Sequence, residues 1–292
     1  MTITRELLPA VAGIEIVHEV APPLSLVAPE RPDWMGSGQP EEPIVVRHEV
    51  GDVGVEGMRE LFDIPPWMTY YESAGGLTAI RYHSVEIERP VLVLRTVRPG
   101  YEYVVHYEFA PNRPMERRGR EMSVYSLALA ERRRGVMAHG CAFRLPNGKG
   151  VLCLGVSGAG KSTLARMMLE QPGVAVFNDD RQALTREPDG LHVWSTPWPG
   201  SAGIANAGDA PLGAVVLIGR ALSPRVLAVP NHLALSRLLM TLALPNWRDA
   251  AMADGLALVD QIMNDVRPIE LAYPLGPETA PWIVERLTEI TT

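Results

Sequence analysis

One nine-residue stretch restricts the possible fold of this chain more than any other. Residues 155–163 read GVSGAGKST, which satisfies the spacing GxxxxGK[ST] of a Walker A phosphate-binding loop. The run VLCLG before it predicts a buried strand, and KSTLARMMLEQ after it predicts a helix with an apolar face. A plain glycine turn is the alternative, but the flanking strand and helix favour a phosphate-binding loop. We call residues 155–163 the glycine loop and expect an α/β fold around it.

The glycine loop predicts a nucleoside triphosphate ligand. Glycines let successive backbone N–H groups surround phosphate oxygens, and the positive end of the following helix dipole adds to the attraction. Lys161 is expected to neutralise the β and γ phosphates, and the Ser162 hydroxyl to ligate magnesium. The predicted cofactors are therefore ATP and Mg²⁺, although the pattern does not strictly distinguish ATP from GTP. The predicted nucleotide-binding residues are Gly155, Ser157, Gly158, Ala159, Gly160, Lys161, Ser162 and Thr163.

Lysine is rare in this chain, which makes the lysine of the loop informative. Of the 27 basic residues, 25 are arginine, and the only lysines are Lys149 and Lys161. A chain that otherwise uses arginine for positive charge has a lysine at the position that a phosphate-binding loop requires.

A predicted hairpin brings a histidine to the glycine loop. Asn147 and Gly148 separate two apolar runs, which is a strong signal for a two-residue hairpin turn. Paired residues should then sum to about 295, which sets His139 opposite Val156 to within one residue. We predict a catalytic role for His139 near the γ phosphate. A histidine that is only hydrogen-bonded within a strand is the alternative.

Two adjacent carboxylates follow the next predicted strand. Asn178, Asp179 and Asp180 come directly after the short apolar run at 174–177. Such carboxylates hold magnesium or accept the proton of a nucleophile, although aspartate also occurs in ordinary turns. Consecutive side chains of an extended segment point to opposite sides, so we expect unequal roles. We predict Asp179 as the general base and Asp180 on the magnesium side, and the assignment is reversible.

The segment STPWPGSAGIANAG at 195–208 predicts a long irregular loop. Loops of this length inside a compact domain are usually functional or disordered. The rigid Trp-Pro pairs and the flexible Gly-Ser-Ala-Gly stretch suit a flap over a substrate, and we predict Trp198, Gly200 and Ser201 as substrate-loop residues. The alternative is that the tryptophans only cover the edge of the core.

Composition shifts divide the chain into four predicted parts. Residues 1–43 are rich in proline and predict an extended N-terminal arm. Residues 44–118 predict a small antiparallel β-rich domain, because Val, Ile and Tyr alternate with polar residues there. A linking helix with a glycine stop is expected at 119–135, and residues 136–292 alternate strands and helices around a sheet.

The overall charge limits the expected partners. A net charge of −7 and a pI near 5.6 do not suit broad binding to nucleic acid or an anionic membrane. The sequence shows neither a membrane-spanning run nor a signal peptide, so we expect a cytoplasmic protein. Cys141 and Cys153 lie in apolar runs and are expected to be buried thiols.

Three of these motifs together resemble a known family. His139-Gly140, the glycine loop and NDDR at 178–181 are similar to the catalytic domain of the HPr kinase/phosphorylase family. More closely, residues 120–275 resemble the HPr-kinase-related serine kinases of modified-peptide biosynthesis, including lasso peptide precursor kinases. The resemblance implies a mixed α/β, HPr-kinase-like P-loop core preceded by a smaller β-rich domain. It further implies ATP-dependent phosphorylation of serine on a protein or peptide.

The resemblance also implies roles for individual residues, and the sequence differs from the family at one motif. It implies His139, Lys161 and Asp179 as catalytic residues and Ser162 as a magnesium ligand. The acidic residue of a Glu-Ile-Arg-Gly stretch in the bifunctional enzymes has no counterpart in TPWPGSAG, so dephosphorylation is not expected. A kinase of a small hydroxylated metabolite and a non-catalytic nucleotide-binding interaction protein remain alternatives. Homo-oligomers occur in the family, and the sequence leaves the oligomeric state open.

Overall fold

The protein is a mixed α/β protein in which strands predominate. The computed structural model describes residues 3–83, 90–155, 158–274 and 276–292. Within these ranges the chain forms two mixed β-sheets and five α-helices. The predicted α/β class and the β-rich N-terminal half are therefore confirmed.

The first sheet contains eight strands within the described residues. Their order across the sheet is β1-β2-β3-β8-β7-β6-β5-β4. The strands are β1 (Thr4–Val11), β2 (Ile14–Val20), β3 (Ile44–Val50), β4 (Arg59–Ile64), β5 (Met68–Glu72), β6 (Thr78–Tyr82), β7 (Leu92–Arg98) and β8 (Glu102–Tyr107).

The predicted extended arm is wrong for its first half. Residues 4–20 form the antiparallel hairpin β1–β2 at the edge of the first sheet. Ile14, Ile16 and Val20 are 1 to 2 % exposed, because every second residue of β2 points into the core. The prolines that suggested an arm begin only at Pro22, after the hairpin has ended.

The expectation of a purely antiparallel sheet is also wrong. Strand β3 runs parallel to both of its neighbours, β2 and β8. Parallel neighbours need a long connection, and residues 21–43 supply one between β2 and β3. Leu24, Leu26 and Trp34 of that connection are buried in the core.

The second sheet contains nine strands within the described residues. The pairings β10-β9-β12-β13-β14 return to β10 through a parallel β10–β14 pair, so this part of the sheet closes on itself. The strands are β9 (Gly135–Arg144), β10 (Gly150–Leu154), β11 (Ala175–Asn178), β12 (Arg181–Glu187), β13 (Gly190–Ser195), β14 (Asp209–Arg220), β15 (Arg225–Ala228), β16 (Leu242–Ala243) and β17 (Ile269–Tyr273).

The predicted hairpin at Asn147-Gly148 is confirmed. Strands β9 and β10 pair antiparallel with Gly140 opposite Leu154, one residue from the expected register. Val156, the predicted partner of His139, lies outside the described residues. The hairpin β12–β13 was not predicted, although Asp189-Gly190 at its turn is a hairpin signal.

Five α-helices cover the sheets within the described ranges. They are α1 (Arg118–Glu131), α2 (Lys161–Leu169), α3 (Asn231–Thr241), α4 (Asp249–Gln261), which continues as a π-helical turn (Ile262–Val266), and α5 (Ala280–Ile290). None of these helices is both long enough and apolar enough to span a membrane.

The linking helix α1 joins the two sheets through a shared core. Val124, Leu127 and Ala128 are at most 1 % exposed, and they pack in one cluster with residues of the first sheet and with Trp198 and Trp247. The predicted glycine stop is wrong: the left-handed residue after the helix is Arg133, with φ of 57°. The next glycine already belongs to β9.

Candidate functional site

A cavity of about 730 Å³ lies at the N-terminus of α2. It is bounded by the glycine loop, the middle of β9, the turn after β11 and the first turn of α1. Most of the predicted site residues meet here. The lining residues are Arg118, His139, Gly158, Gly160, Lys161, Ser162, Thr163, Arg166, Asp180, Pro199, Gly200, Ser201 and Arg220.

The glycine loop connects strand and helix as predicted. Strand β10 ends at Leu154 and α2 begins at Lys161, with Gly160 at φ of 106° as the preceding residue. A side chain at that φ would be strained, so the tight entry into the helix favours glycine. Ser157 lies outside the described residues. Gly155 and Ala159 line a smaller cavity of about 240 Å³ beside the loop instead.

Lys161 lies inside the loop that it is expected to serve. Its Nζ donates a hydrogen bond of 2.7 Å to the Gly155 carbonyl oxygen, and the residue is 8 % exposed. Burial lowers the pKa of Lys161, and the opposing influence of Asp180 does not cancel that effect. The Lys161 ammonium group therefore links the start of α2 back to Gly155, the first residue of the glycine loop.

Positive charge dominates the cavity wall. Arg118 comes from α1, Arg166 from α2 and Arg220 from the end of β14, in addition to Lys161. The only carboxylate among the described lining residues is that of Asp180. Four cations around one acid suit an anion with several charges, such as a polyphosphate. We did not predict the three arginines, because they come from elements far apart in the sequence.

His139 and Asp180 form a pair on the cavity wall. His139 Nε2 lies 3.1 Å from Asp180 Oδ1, and Arg118 Nη2 donates to Asp180 Oδ2 at 3.3 Å. Burial alone would raise the pKa of Asp180. The hydrogen bond with His139 and the charges of Arg181, His139 and Arg118 outweigh burial and hold that pKa below its ordinary value. Asp180 is therefore ionised at neutral pH and reachable from the cavity.

Asp179 occupies a different environment from the one we expected of a base. It is 2 % exposed and does not line the cavity. Its Oδ1 accepts hydrogen bonds from the backbone N–H groups of Gly200 (2.8 Å) and Ile204 (3.2 Å). Its Oδ2 accepts from the N–H of Ala202 (2.8 Å) and from Ser162 Oγ (3.2 Å). With these lone pairs engaged, Asp179 holds the loop rather than presenting a free oxygen.

Asn178 explains why the two carboxylates diverge. Its Oδ1 accepts hydrogen bonds from the backbone N–H groups of Asp180 and Arg181, at 2.7 and 3.0 Å, which fixes the turn after β11. Its Nδ2 donates to the carbonyl oxygens of Thr196 and Trp198. The fully buried Asn178 thus orients both aspartates. No local sequence signal predicts that its Nδ2 donates to Thr196 and Trp198.

The irregular segment at 196–208 reaches the site with only part of the predicted set. Gly200 and Ser201 line the cavity, and Ser201 Oγ lies 3.3 Å from Ser162 Oγ. A Cβ at Gly200 would lie 2.7 Å from Asp179 Oδ2, so the close approach to the carboxylate requires glycine. Trp198 is 1 % exposed and does not line the cavity, so its assignment to substrate contact is wrong.

Trp198 instead anchors the loop to α1. Its Nε1 donates a hydrogen bond of 2.9 Å to Glu121 Oε2, and its ring packs edge-on against Tyr125. Glu121 is also bound to His18 and Arg117, so the loop connects through Trp198 to the first sheet.

The oxygen atoms present fit a magnesium ion held together with phosphate. Ser162 and the ionised Asp180 both line the cavity, and Asp179 Oδ2 accepts the hydrogen bond that the Ser162 hydroxyl donates. Magnesium commonly uses one or two protein carboxylates and takes its remaining ligands from phosphate and water. Among the described residues, no group of three His, Cys, Asp or Glu side chains forms a metal cage.

An apolar groove begins at the same histidine. It has a volume of about 350 Å³ and lies between β5, α1 and β9. Ile64, Met68, Met122 and Met137 line it, and His139 belongs both to this groove and to the cavity at the N-terminus of α2. The two spaces therefore meet at His139.

Comparison with known proteins adds no assignment. No protein-family model matches the chain, and no curated protein matches its sequence closely enough to count as a relative.

Proposed function

We propose that this protein is an ATP-dependent serine kinase with an HPr-kinase-like P-loop core, acting on a peptide or small protein. The observation that carries the proposal is the convergence of Lys161, Ser162, His139 and Asp180 on one cavity lined by three further cations. This arrangement supplies both halves of a phosphoryl transfer, a place for the donor and a base for the acceptor.

The donor side is built for phosphate. Residues 160–163 at the start of α2 line the cavity, and the dipole of this helix favours negative charge there. Lys161, Arg166 and Arg220 would neutralise the phosphate oxygens, and Arg118 of α1 lines the same cavity. Ser162, with Asp179 behind it, would hold a magnesium ion, which supplies charge neutralisation at the β and γ phosphates when bound.

The acceptor side favours Asp180 over Asp179 as the general base. A base must reach the hydroxyl proton, and Asp180 lies on the cavity wall whereas Asp179 is enclosed. The serine oxygen forms a bond to the γ phosphorus, the bond from that phosphorus to the β–γ bridging oxygen breaks, and ADP leaves. The hydroxyl proton passes to the Asp180 carboxylate, which His139 orients. The sequence analysis predicted Asp179 as the base and Asp180 on the magnesium side, and the proposal exchanges these two roles.

The groove at His139 supports a peptide acceptor. An extended peptide could place apolar side chains against Ile64, Met68 and Met122 while its serine reaches His139 and Asp180. A small polar metabolite would gain no binding free energy from this apolar surface. The preferred acceptor is thus a serine flanked by apolar residues.

The test is a transfer assay with the two lysines as matched variants. The protein is incubated with Mg-ATP and synthetic peptides that carry one serine between apolar residues, and the products are read by mass spectrometry. We expect addition of one phosphoryl group with the wild type and with Lys149→Met, whose side chain lies at the exposed hairpin. Lys161→Met should reduce transfer by about two orders of magnitude or more.

Other outcomes identify the alternatives. Transfer to small hydroxylated compounds but to no peptide would indicate a metabolite kinase. ATP binding without transfer to any acceptor would favour a nucleotide-dependent interaction protein and overturn the kinase proposal.

A further inference from the structure

The smaller cavity beside the glycine loop has no role in the phosphoryl transfer proposed above. It has a volume of about 240 Å³ and lies between β10, β14, β17 and α3. Gly155 and Ala159 of the glycine loop line it. Gly158 and Gly160 of the same loop line the larger cavity at the N-terminus of α2. The two cavities therefore adjoin along the glycine loop.

Apolar side chains form most of the wall of this smaller cavity. Leu154 and Leu217 lie opposite each other in the parallel β10–β14 pair, so both strands lead to the edge of the sheet where ligands of α/β folds usually bind. The volume is just below the range of about 300 to 1,000 Å³ for whole small-ligand sites, which suits one ring system of a larger ligand. The apolar lining residues beyond the glycine loop are Leu154, Leu217, Ile218, Val229 and Leu233.

Glu270 is the one carboxylate among the described residues that line the smaller cavity. It lies opposite Leu217 in the β14–β17 pair, so its side chain projects from the same face of the sheet as Leu217. A Cβ at Gly219 would lie 2.5 Å from Glu270 Oε1, so the carboxylate lies over Gly219, nearer the carboxyl end of β14. Glu270 thus directs its carboxylate towards the edge of the sheet at which the glycine loop begins.

The Glu270 carboxylate is available to a ligand. Within the described part of the chain it accepts no hydrogen bond, and it forms no ion pair with Arg237, the other charged residue that lines the cavity. Glu270 is only partly buried, and neither of its oxygens is among the enclosed polar atoms that lack a partner, so the carboxylate can be reached. An acceptor of this kind beside an apolar wall suits an N–H group carried by a flat ring.

We infer that this cavity takes the purine base of the bound nucleotide and that Glu270 selects it. The two faces of a purine can pack against the leucine and isoleucine side chains of the wall, and an amino group on the ring can donate to the carboxylate. Adenine and guanine both supply this chemistry, through N6 and N2 respectively. The inference rests on the proposed function, because the phosphates bound by the glycine loop would bring the base to the adjoining cavity.

The contribution of the base is measured on the wild-type full chain by calorimetric titration in the presence of Mg²⁺. ATP and GTP are the probes with an amino-bearing purine, and methyl triphosphate is the probe without a base. Purine riboside triphosphate and inosine triphosphate lack the amino groups of ATP and GTP. We expect ATP or GTP to bind at least about tenfold more tightly than methyl triphosphate, and about tenfold more tightly than its amino-free counterpart. The tighter of the two identifies the base.

The variant Glu270→Met tests the carboxylate directly. It removes the acceptor and should weaken the preferred nucleotide by about tenfold, to the affinity of the amino-free counterpart. Methyl triphosphate should bind this variant as it binds the wild type, which also verifies that the glycine loop is folded. The control is Glu285→Met on the exposed face of α5, which lines neither cavity and should bind every probe as the wild type does.

The results that overturn the inference differ from those that overturn the proposed function. Equal binding of ATP, GTP and methyl triphosphate would show that the cavity does not hold the base, while the phosphate site would stand. Equal binding of the preferred nucleotide and its amino-free counterpart, or undiminished binding by Glu270→Met, would exclude Glu270 as the selecting residue. The absence of binding by every probe would contradict the proposed nucleotide site, and the inference with it.

Discussion

Two clusters in this protein contain the same three chemical groups in different surroundings. His139, Asp180 and Arg118 meet at the cavity, where the histidine and aspartate side chains are 37 and 21 % exposed. His18, Glu121 and Arg117 meet between the first sheet and α1, where the histidine and glutamate side chains are 1 and 2 % exposed. The histidine to carboxylate distance is 3.1 Å in both.

Burial converts the second cluster into a structural connection. His18 contacts His48, His48 contacts Tyr107, and Glu121 receives Trp198 from the irregular loop. Burial alone would raise the pKa of Glu121, but His18, Arg117 and Trp198 reverse this and lower it to about 2. The cluster joins three strands, one helix and the irregular loop, which also lines the cavity at the N-terminus of α2. The comparison shows that accessibility, more than residue type, separates a cluster open to a ligand from a structural one.

The largest expected effect follows from breaking the buried cluster. Glu121→Gln removes the negative charge between His18 and Arg117 and should lower the free energy of unfolding by about 3 to 5 kcal/mol. Chemical denaturation followed by circular dichroism measures it. The control is Glu289→Gln, whose exposed pair with Arg286 should contribute less than about 1 kcal/mol. A loss for Glu121→Gln as small as that of the control would mean that the cluster does not join the two parts.

Breaking the cavity cluster should affect activity and leave stability nearly unchanged. Asp180→Asn removes the proposed base, so phosphoryl transfer should fall by about 10² to 10⁴-fold while nucleotide binding persists. The unfolding free energy should change by less than about 1 kcal/mol because the pair is partly solvated. Turnover equal to the wild type would exclude Asp180 as the base.

Asp179→Asn is the matched comparison for that variant. The asparagine amide would direct its own N–H groups at the backbone N–H donors of the loop. The substitution should therefore lower the free energy of unfolding by about 1 to 3 kcal/mol. If Asp179→Asn instead lost transfer at full stability, Asp179 would be the base and the original sequence assignment would stand.

The smallest effect concerns pH. Burial, followed by the nearby side chains of His18, Arg120 and Arg117, holds the pKa of His48 well below 6.5. Folded His48 is thus neutral, whereas the unfolded chain takes up a proton near pH 6.5. Stability should fall as pH decreases below 6.5, by at most about 1.4 kcal/mol per pH unit from this group.

Glu121 and His48 affect stability in separate pH ranges. Glu121 stabilises the fold above its ordinary pKa of 4.5, and that stability is lost as pH falls from 4.5 towards 2. Urea denaturation at a series of pH values measures both, and His48→Gln should flatten the slope between pH 5 and about 6.5. An unchanged slope in this variant would contradict the assignment to His48.

Features set by neighbouring residues were predictable. The glycine loop and the start of α2 follow from glycines, a lysine and an apolar pattern within a few positions. The Asn147-Gly148 turn was enough to set the β9–β10 register to within one residue and to place His139 beside the loop. The alternation in residues 4–20 was also readable as strands, but the prolines that follow obscured it.

Other parts of the site depend on contacts between distant segments. Arg220 reaches the cavity because β14 runs parallel to β10, so both strands end at the same edge. That parallel pairing joins segments about sixty residues apart, and no local pattern indicates it. Arg118 reaches the cavity only because α1 crosses from the first sheet to the second.

The sequence by itself determined that a glycine loop with the Walker A spacing lies between a strand and a helix, that a histidine lies near it and that two aspartates follow a neighbouring strand. These are consequences of short-range geometry. Only the tertiary structure decided which aspartate faces the cavity, that Trp198 anchors the loop instead of lining the site, and that Glu270 is left without a partner among the described residues. Each of these depends on which distant groups exclude water from a side chain or donate hydrogen bonds to it, and burial and pairing are properties of the folded chain.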